Sequence, residues 1–89
     1  MSQYLRVVSY NIHHGTDAYD NPSMDGIAEV LARLDADIIA LQEVDMNRPR
    51  SGGKKQAAEL ARRLEMGYVF GAAKHYRGGA YGNAVLSRF

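Results

Sequence analysis

Two short apolar runs on either side of one helical stripe constrain this chain more than any other feature of its sequence. The first run lies within Tyr4 to Tyr10 and carries Leu5, Val7, Val8 and Tyr10. Short and nearly continuous, it reads as a strand buried on both faces. The second, Ile38-Ile39-Ala40-Leu41, has the same character and leads into Gln42-Glu43-Val44-Asp45. Between them Ile27, Val30, Leu31 and Leu34 recur at amphipathic-helix spacing, with Ser23 as N-cap and Asp25 in the first turn. A strand, a helix and a second buried strand in that order make a βαβ unit, so the two strands are expected to be parallel and adjacent. Their carboxyl ends then lie side by side.

Beyond Asp45, Arg48-Pro49-Arg50-Ser51-Gly52-Gly53 reads as a loop, and Ala57, Leu60, Ala61 and Leu64 mark a second helix closed near Gly67. Tyr68-Val69-Phe70 reads as a third strand, Lys74 to Gly82 as a Gly-rich basic and aromatic loop, and Asn83 to Ser87 as a fourth strand. A loop of about ten residues without helical periodicity favours an antiparallel hairpin, because a parallel return needs a longer crossover. The expectation is one α/β domain over residues 1–89, with a mixed sheet of about four strands and two helices in the order β-α-β-α-β-β.

Composition narrows the function classes. Eighty-nine residues leave room for one domain, and 46% hydrophobic residues are enough for a packed core rather than disorder. With no cysteine, disulfides, thiolate metal sites and thiol nucleophiles are excluded, which points to a cytoplasmic location. No run approaches the roughly 20 apolar residues of a membrane span, and no cleaved leader is expected. A net charge of +1 gives no global field calling for nucleic acid, so partners must be argued from sites.

In open α/β sheets, ligands bind outside the carboxyl ends of the parallel strands. Asn11 closes the first strand, Glu43 closes the second, and Asn83 opens an antiparallel fourth strand at that same end. One carboxylate flanked by two carboxamides is a hard oxygen-donor set suited to Mg²⁺ or Mn²⁺. Magnesium takes only one or two carboxylates and completes its shell with water and phosphate oxygens, so Glu43 and Asn11 are the expected metal residues and a phosphate ester the expected substrate. His13 and His14, as neighbours on an extended segment, are expected to point to opposite faces and not to share an ion. His13 remains a candidate substrate contact. His75 and Arg77, with Lys74 and Tyr76 in the loop overhanging the site, are further substrate candidates. Arg48, Arg50, Lys54 and Lys55 form a basic cluster placed to steer a phosphate, and Asp45 is expected in a surface or capping role.

Three segments, Ser9-Tyr10-Asn11-Ile12, Ala40-Leu41-Gln42-Glu43-Val44-Asp45 and Tyr81-Gly82-Asn83-Ala84-Val85-Leu86-Ser87-Arg88, resemble in order the opening motifs of the endonuclease/exonuclease/phosphatase superfamily. The resemblance implies metal-dependent hydrolysis of phosphodiesters or phosphomonoesters. In it Glu43 is a metal ligand, Asn11 orients the scissile phosphate or a metal-bound water, Asn83 helps position the site, and Gln42 braces the strand end. It also implies a four-layer α/β sandwich of two similar halves, of which these residues supply about the first. The family's later Asp-x-Asn and Asp-His motifs have no counterpart here, so this chain alone is expected to be inactive and to associate with a missing half or with itself. The competing expectation is a catalytically incompetent assembly module that holds a phosphate or ion weakly. Nucleic acid, phospholipid and small inositol phosphates all remain open as substrates.

Overall fold

The computed structural model describes residues 4–17, 19 and 21–89. They form β1 (Val7–Asn11), α1 (Met24–Leu34), β2 (Ile38–Met46), α2 (Gln56–Leu64), β3 (Gly67–Tyr76) and β4 (Gly79–Ser87), with 3-10 turns at His13–Gly15 and Pro49–Ser51. The strands make one sheet in the order β1-β2-β4-β3. β1 runs parallel to β2 from Val7↔Ile38 to Asn11↔Gln42, and β4 runs antiparallel to both β2 and β3. The expected α/β class, element order and mixed four-stranded sheet are all present.

Each helix turns its apolar stripe to the same face of the sheet. Ile27, Ala28 and Leu31 of α1 and Ala57, Leu60 and Ala61 of α2 form one core with Ile39, Leu41, Val44, Ala84 and Leu86. Burial of these side chains supplies the main driving force, about 25 cal/mol per Å² of apolar surface removed from water. Ser23 sits at the α1 N-cap as expected but makes no side-chain cap bond there.

Three expectations are corrected. β1 is not buried on both faces: Val8 and Tyr10 pack on the core, whereas Val7, Ser9 and Asn11 are exposed. Both helices lie on one side, and among the described residues nothing covers the other, where Val7, Val69 and Val85 are 59%, 73% and 46% exposed. The segment Lys74 to Gly82 is not a loop. β3 continues to Tyr76, pairs Tyr76 with Gly79, and turns through Arg77 and Gly78 alone. Gly78 has φ 77°, the left-handed conformation that a tight two-residue hairpin demands, so the glycines mark a turn and close strand approaches rather than a flexible tract. Finally, α2 stops at Glu65, whose φ of 55° caps it, while Gly67 already begins β3.

Candidate functional site

The carboxyl end of β1 meets an irregularity in β2. Leu41 pairs with Ala84 and Val44 with Gly82, so Gln42 and Glu43 together stand opposite the single residue Asn83. Such a bulge bends its strand and re-aims a side chain. Glu43 takes up the extra residue with φ 56°, an uncommon backbone conformation for a residue bearing a Cβ. Asn11, Glu43 and Asn83 therefore occupy three adjacent strands at one level of the sheet.

The Asn11 carboxamide links this level to the following turn. Its Nδ2 donates to Glu43 Oε2, and its Oδ1 accepts the His13 backbone N–H at 2.8 Å. A backbone N–H can only donate and a carboxylate can only accept, so these partners fix which way the amide points. Tyr81 lies beside the same carboxylate. Hydrogen bonding from Asn11, aided by Tyr81 and by the His13 and His14 rings, holds Glu43 below the usual carboxylate range despite some desolvation. Burial and the Glu43 charge push the Tyr81 phenol up. The arrangement keeps a negative charge at the strand end and presents amide and hydroxyl donors around it. Gln42 braces the neighbouring rung, its Nε2 donating to Ser9 Oγ at 3.1 Å.

His13 and His14 do not point apart. The chain leaves the extended conformation after Asn11, both histidines have positive φ (48° and 40°), and their ring centroids lie 4.8 Å apart. The alternation that separates neighbours on a strand is lost in the turn. The single Thr16 hydroxyl proton goes to the His13 carbonyl at 2.7 Å, so Thr16 Oγ1, 2.9 Å from His13 Nδ1, accepts a proton carried on that nitrogen.

Asp45 is not at the surface. The bulge shifts the in-out phase of β2 and turns Val44 into the core, while Asp45, on the face it shares with Tyr81, is also fully buried. Arg50 meets the Asp45 carboxylate with two parallel bonds of 2.9 and 2.8 Å, and that pairing raises the Arg50 guanidinium further. Of the basic cluster, Arg50 is thus committed to Asp45 and lies 5.2 Å from the Tyr81 ring, while Arg48 stacks 3.5 Å over Tyr76. His75 and Arg77 lie on the hairpin arm, His75 opposite Ala80 and Arg77 at the turn, toward the tip from the Asn11–Glu43 pair. No contact joins them to it.

Sequence reasoning missed the roles of Tyr81, Thr16 and Gln56. Tyr81 was findable: it stands two residues before Asn83, hence on the same face once β4 is read as starting at Gly79. Gln56 and Thr16 act through contacts no local pattern announces.

Among the described residues, no group of three or more His, Cys, Asp or Glu side chains could hold a metal ion between them. The donor chemistry at Glu43 still fits one hard cation. A single ionised carboxylate faces the uncovered side of the sheet with carboxamides beside it, a set that leaves most of an octahedral shell to water and substrate oxygens.

Comparison with known proteins agrees with this fold. A family model described as the Endonuclease/Exonuclease/phosphatase family matches residues 8–89. The fold resembles the crystal structure of an endonuclease/exonuclease/phosphatase from Beutenbergia cavernae DSM 12333, with TM-score 0.69 and 30% identity over 94% of this chain and 26% of that one. An endonuclease/exonuclease/phosphatase family protein from Leptotrichia buccalis C-1013-b shares the fold at TM-score 0.62 and 19% identity, over 96% of this chain and 37% of that one. No curated protein matches at a significant level. The chain thus spans about a quarter to a little over a third of the length of these solved relatives. With its matched residues running almost from end to end, the chain belongs to the endonuclease/exonuclease/phosphatase family.

Proposed function

We propose that this chain carries the metal-holding part of a phosphoester hydrolase site, with Glu43 as the ligand for Mg²⁺ or Mn²⁺ and Asn11 and Asn83 beside it. The observation that carries this reading is the charged Glu43 carboxylate, held on the β2 bulge by the Asn11 amide with Tyr81 beside it. The chemistry such an ion supplies when bound is polarisation of a phosphoryl oxygen and neutralisation of charge developing in the transition state. Asn11 fixes the carboxylate with one Nδ2 proton and has a second to offer a phosphate oxygen. With its Oδ1 bonded to the His13 N–H, Asn11 serves better as a phosphate-orienting donor than as a metal ligand. Asn83, exposed and opposite the bulge, is placed to fix the substrate from the β4 side.

The substrate is a phosphate ester whose anionic groups are met by His13 near Glu43 and by His75 and Arg77 on the hairpin arm. Charge distribution supports this placement: from Met46 to Ala58 and from Met66 to Phe89 the sequence holds no Asp or Glu, while both segments carry Lys and Arg. A cationic surface next to an anion-binding centre raises the local concentration of anionic substrate.

The uncovered sheet face, with Val69 and Val85 exposed, supports a further layer packing there, from more chain or from a second copy. That reading makes the isolated chain an assembly module until the layer is present. Mn²⁺ binding and turnover of an activated phosphodiester, compared between wild type and Glu43→Gln, test the assignment. Loss of Mn²⁺ binding and at least about a hundredfold loss of turnover in the variant are expected. Turnover that survives the substitution overturns the hydrolase reading of Glu43. Mn²⁺ binding without turnover favours the assembly module.

A further inference from the structure

We propose that Gln56 is a positioning residue for the Glu43 site: its one carboxamide ties down the chain on both sides of the Asn11–Glu43 pair. The inference rests on the reading of Glu43 as the working carboxylate. Gln56 begins α2 and is only 1% exposed, and a buried carboxamide is costly unless its oxygen and nitrogen are both bonded. Both are. Oε1 accepts the Asp45 backbone N–H at 2.9 Å, and Nε2 donates to the His14 carbonyl at 2.8 Å. One partner stands two residues after Glu43 and the other three residues after Asn11.

From these two bonds, the amide that holds the Glu43 carboxylate and the side chains next to it can be traced. On the first side, the His14 carbonyl seats the His13–Gly15 turn on Gln56, and the His13 N–H at the front of that turn bonds Asn11 Oδ1 at 2.8 Å. Asn11 Nδ2 then meets Glu43. The seating is close. A Cβ added to Gly15 would run into Gln56 Nε2 and stand 3.0 Å from Met24 Sδ, so the turn rests directly on the carboxamide. On the second side, Gln56 fixes the backbone of Asp45, whose carboxylate takes the Arg50 fork, and Arg50 lies 5.2 Å from the ring of Tyr81, the neighbour of Glu43 on β4. If space-filling were the only demand, an apolar side chain of the same length would serve equally well.

Gln56→Met keeps the volume and removes both bonds. In nitrogen-15 NMR of the intact protein, the variant is expected to exchange the His13 amide about tenfold faster and to move the Asn11 side-chain NH₂ signals toward free-carboxamide positions. The Leu86 amide, toward the other end of β4 from the Asp45–Tyr81 pair, should keep its protection. Mn²⁺ affinity should fall at least about tenfold, the usual effect of losing a group that orients a metal ligand. Unchanged His13 and Asn11 signals, or a uniform loss of protection that includes Leu86, would overturn the assignment. Should Gln56→Met fail to fold, Gln56→Glu retains an acceptor for the Asp45 N–H and removes the donor to the His14 carbonyl. Its expected signature is disturbance at His13 and Asn11 with the Asp45 amide still protected, and its absence overturns the proposal equally. The NMR readout needs neither ion nor turnover, so failure of the hydrolase reading shows separately, as wild-type protein that neither binds Mn²⁺ nor turns over substrate.

Discussion

At the scale of single residues, Glu43 and Asp17 are the carboxylates whose folded environments favour ionisation. Asp17 is lowered by the Asn21 and Tyr19 backbone N–H groups, at 3.0 and 2.8 Å, and Glu43 by Asn11 first. A carboxylate depressed in the folded state stabilises that state above its unfolded pKa and loses the contribution as pH falls through the folded value. Thermal melts should therefore show stability constant near neutrality and declining once the pH drops below the ordinary carboxylate range. Asp17→Asn, which keeps an oxygen to accept both N–H groups but cannot titrate, should flatten part of that decline. An unchanged acid limb in the variant would rule Asp17 out as a contributor. Asp45 tests a different effect. It is fully buried and Arg50 is 40% exposed, so Arg50→Ala leaves an unpaired buried charge and should cost at least about 2 kcal/mol in denaturant unfolding. Asn11 closes β1 as expected, whereas Glu43 and Asn83, expected at the end of β2 and the start of β4, lie inside those strands at the bulge. Asp45 was misplaced because its burial goes with the Arg50 fork folded onto it, a contact that strand alternation does not encode.

Among the elements, the β3–β4 hairpin departs furthest from its sequence reading. Its glycines suggested a loop, yet Gly82 sits inside β4, where a Cβ would land on the Gly71 carbonyl oxygen and within 2.8 Å of the Ala73 nitrogen. The obstacle is backbone, which cannot swing aside as a flexible side chain would. Gly82→Ala should thus destabilise the fold by more than about 2 kcal/mol and disturb Asn83 next to it. Gly52→Ala is the useful contrast, since nothing stands within 4 Å of its added Cβ and only its φ of 72° resists. Its cost should stay near 1 kcal/mol, as for other residues placed in the left-handed region. Comparable losses in the two variants, measured by chemical denaturation, would show that close strand approach is not what Gly82 provides. The helices were legible to within a residue or two because their stripes at Ile27, Leu31, Leu60 and Leu64 face a core that the same residues define.

For the whole molecule, the one-sided sheet is the dominant fact. Val7, Val69 and Val85 share the face opposite both helices and remain exposed, so the chain by itself should bind an apolar fluorescent dye. Val69→Lys with Val85→Lys should abolish that binding and change stability by less than about 1 kcal/mol, because neither valine packs on the core. Dye binding unaffected by the pair would place the exposed apolar surface elsewhere. Periodicity along the sequence by itself determined the α/β class, the order of the elements and the parallel β1–β2 pair, since each follows from how neighbouring residues partition between core and water. Only the tertiary structure decided the bulge opposite Asn83, the burial of Asp45, the seating of the His13–Gly15 turn on Gln56 and the bare second face. These arise from contacts between segments far apart along the chain, whose register and company no local period encodes.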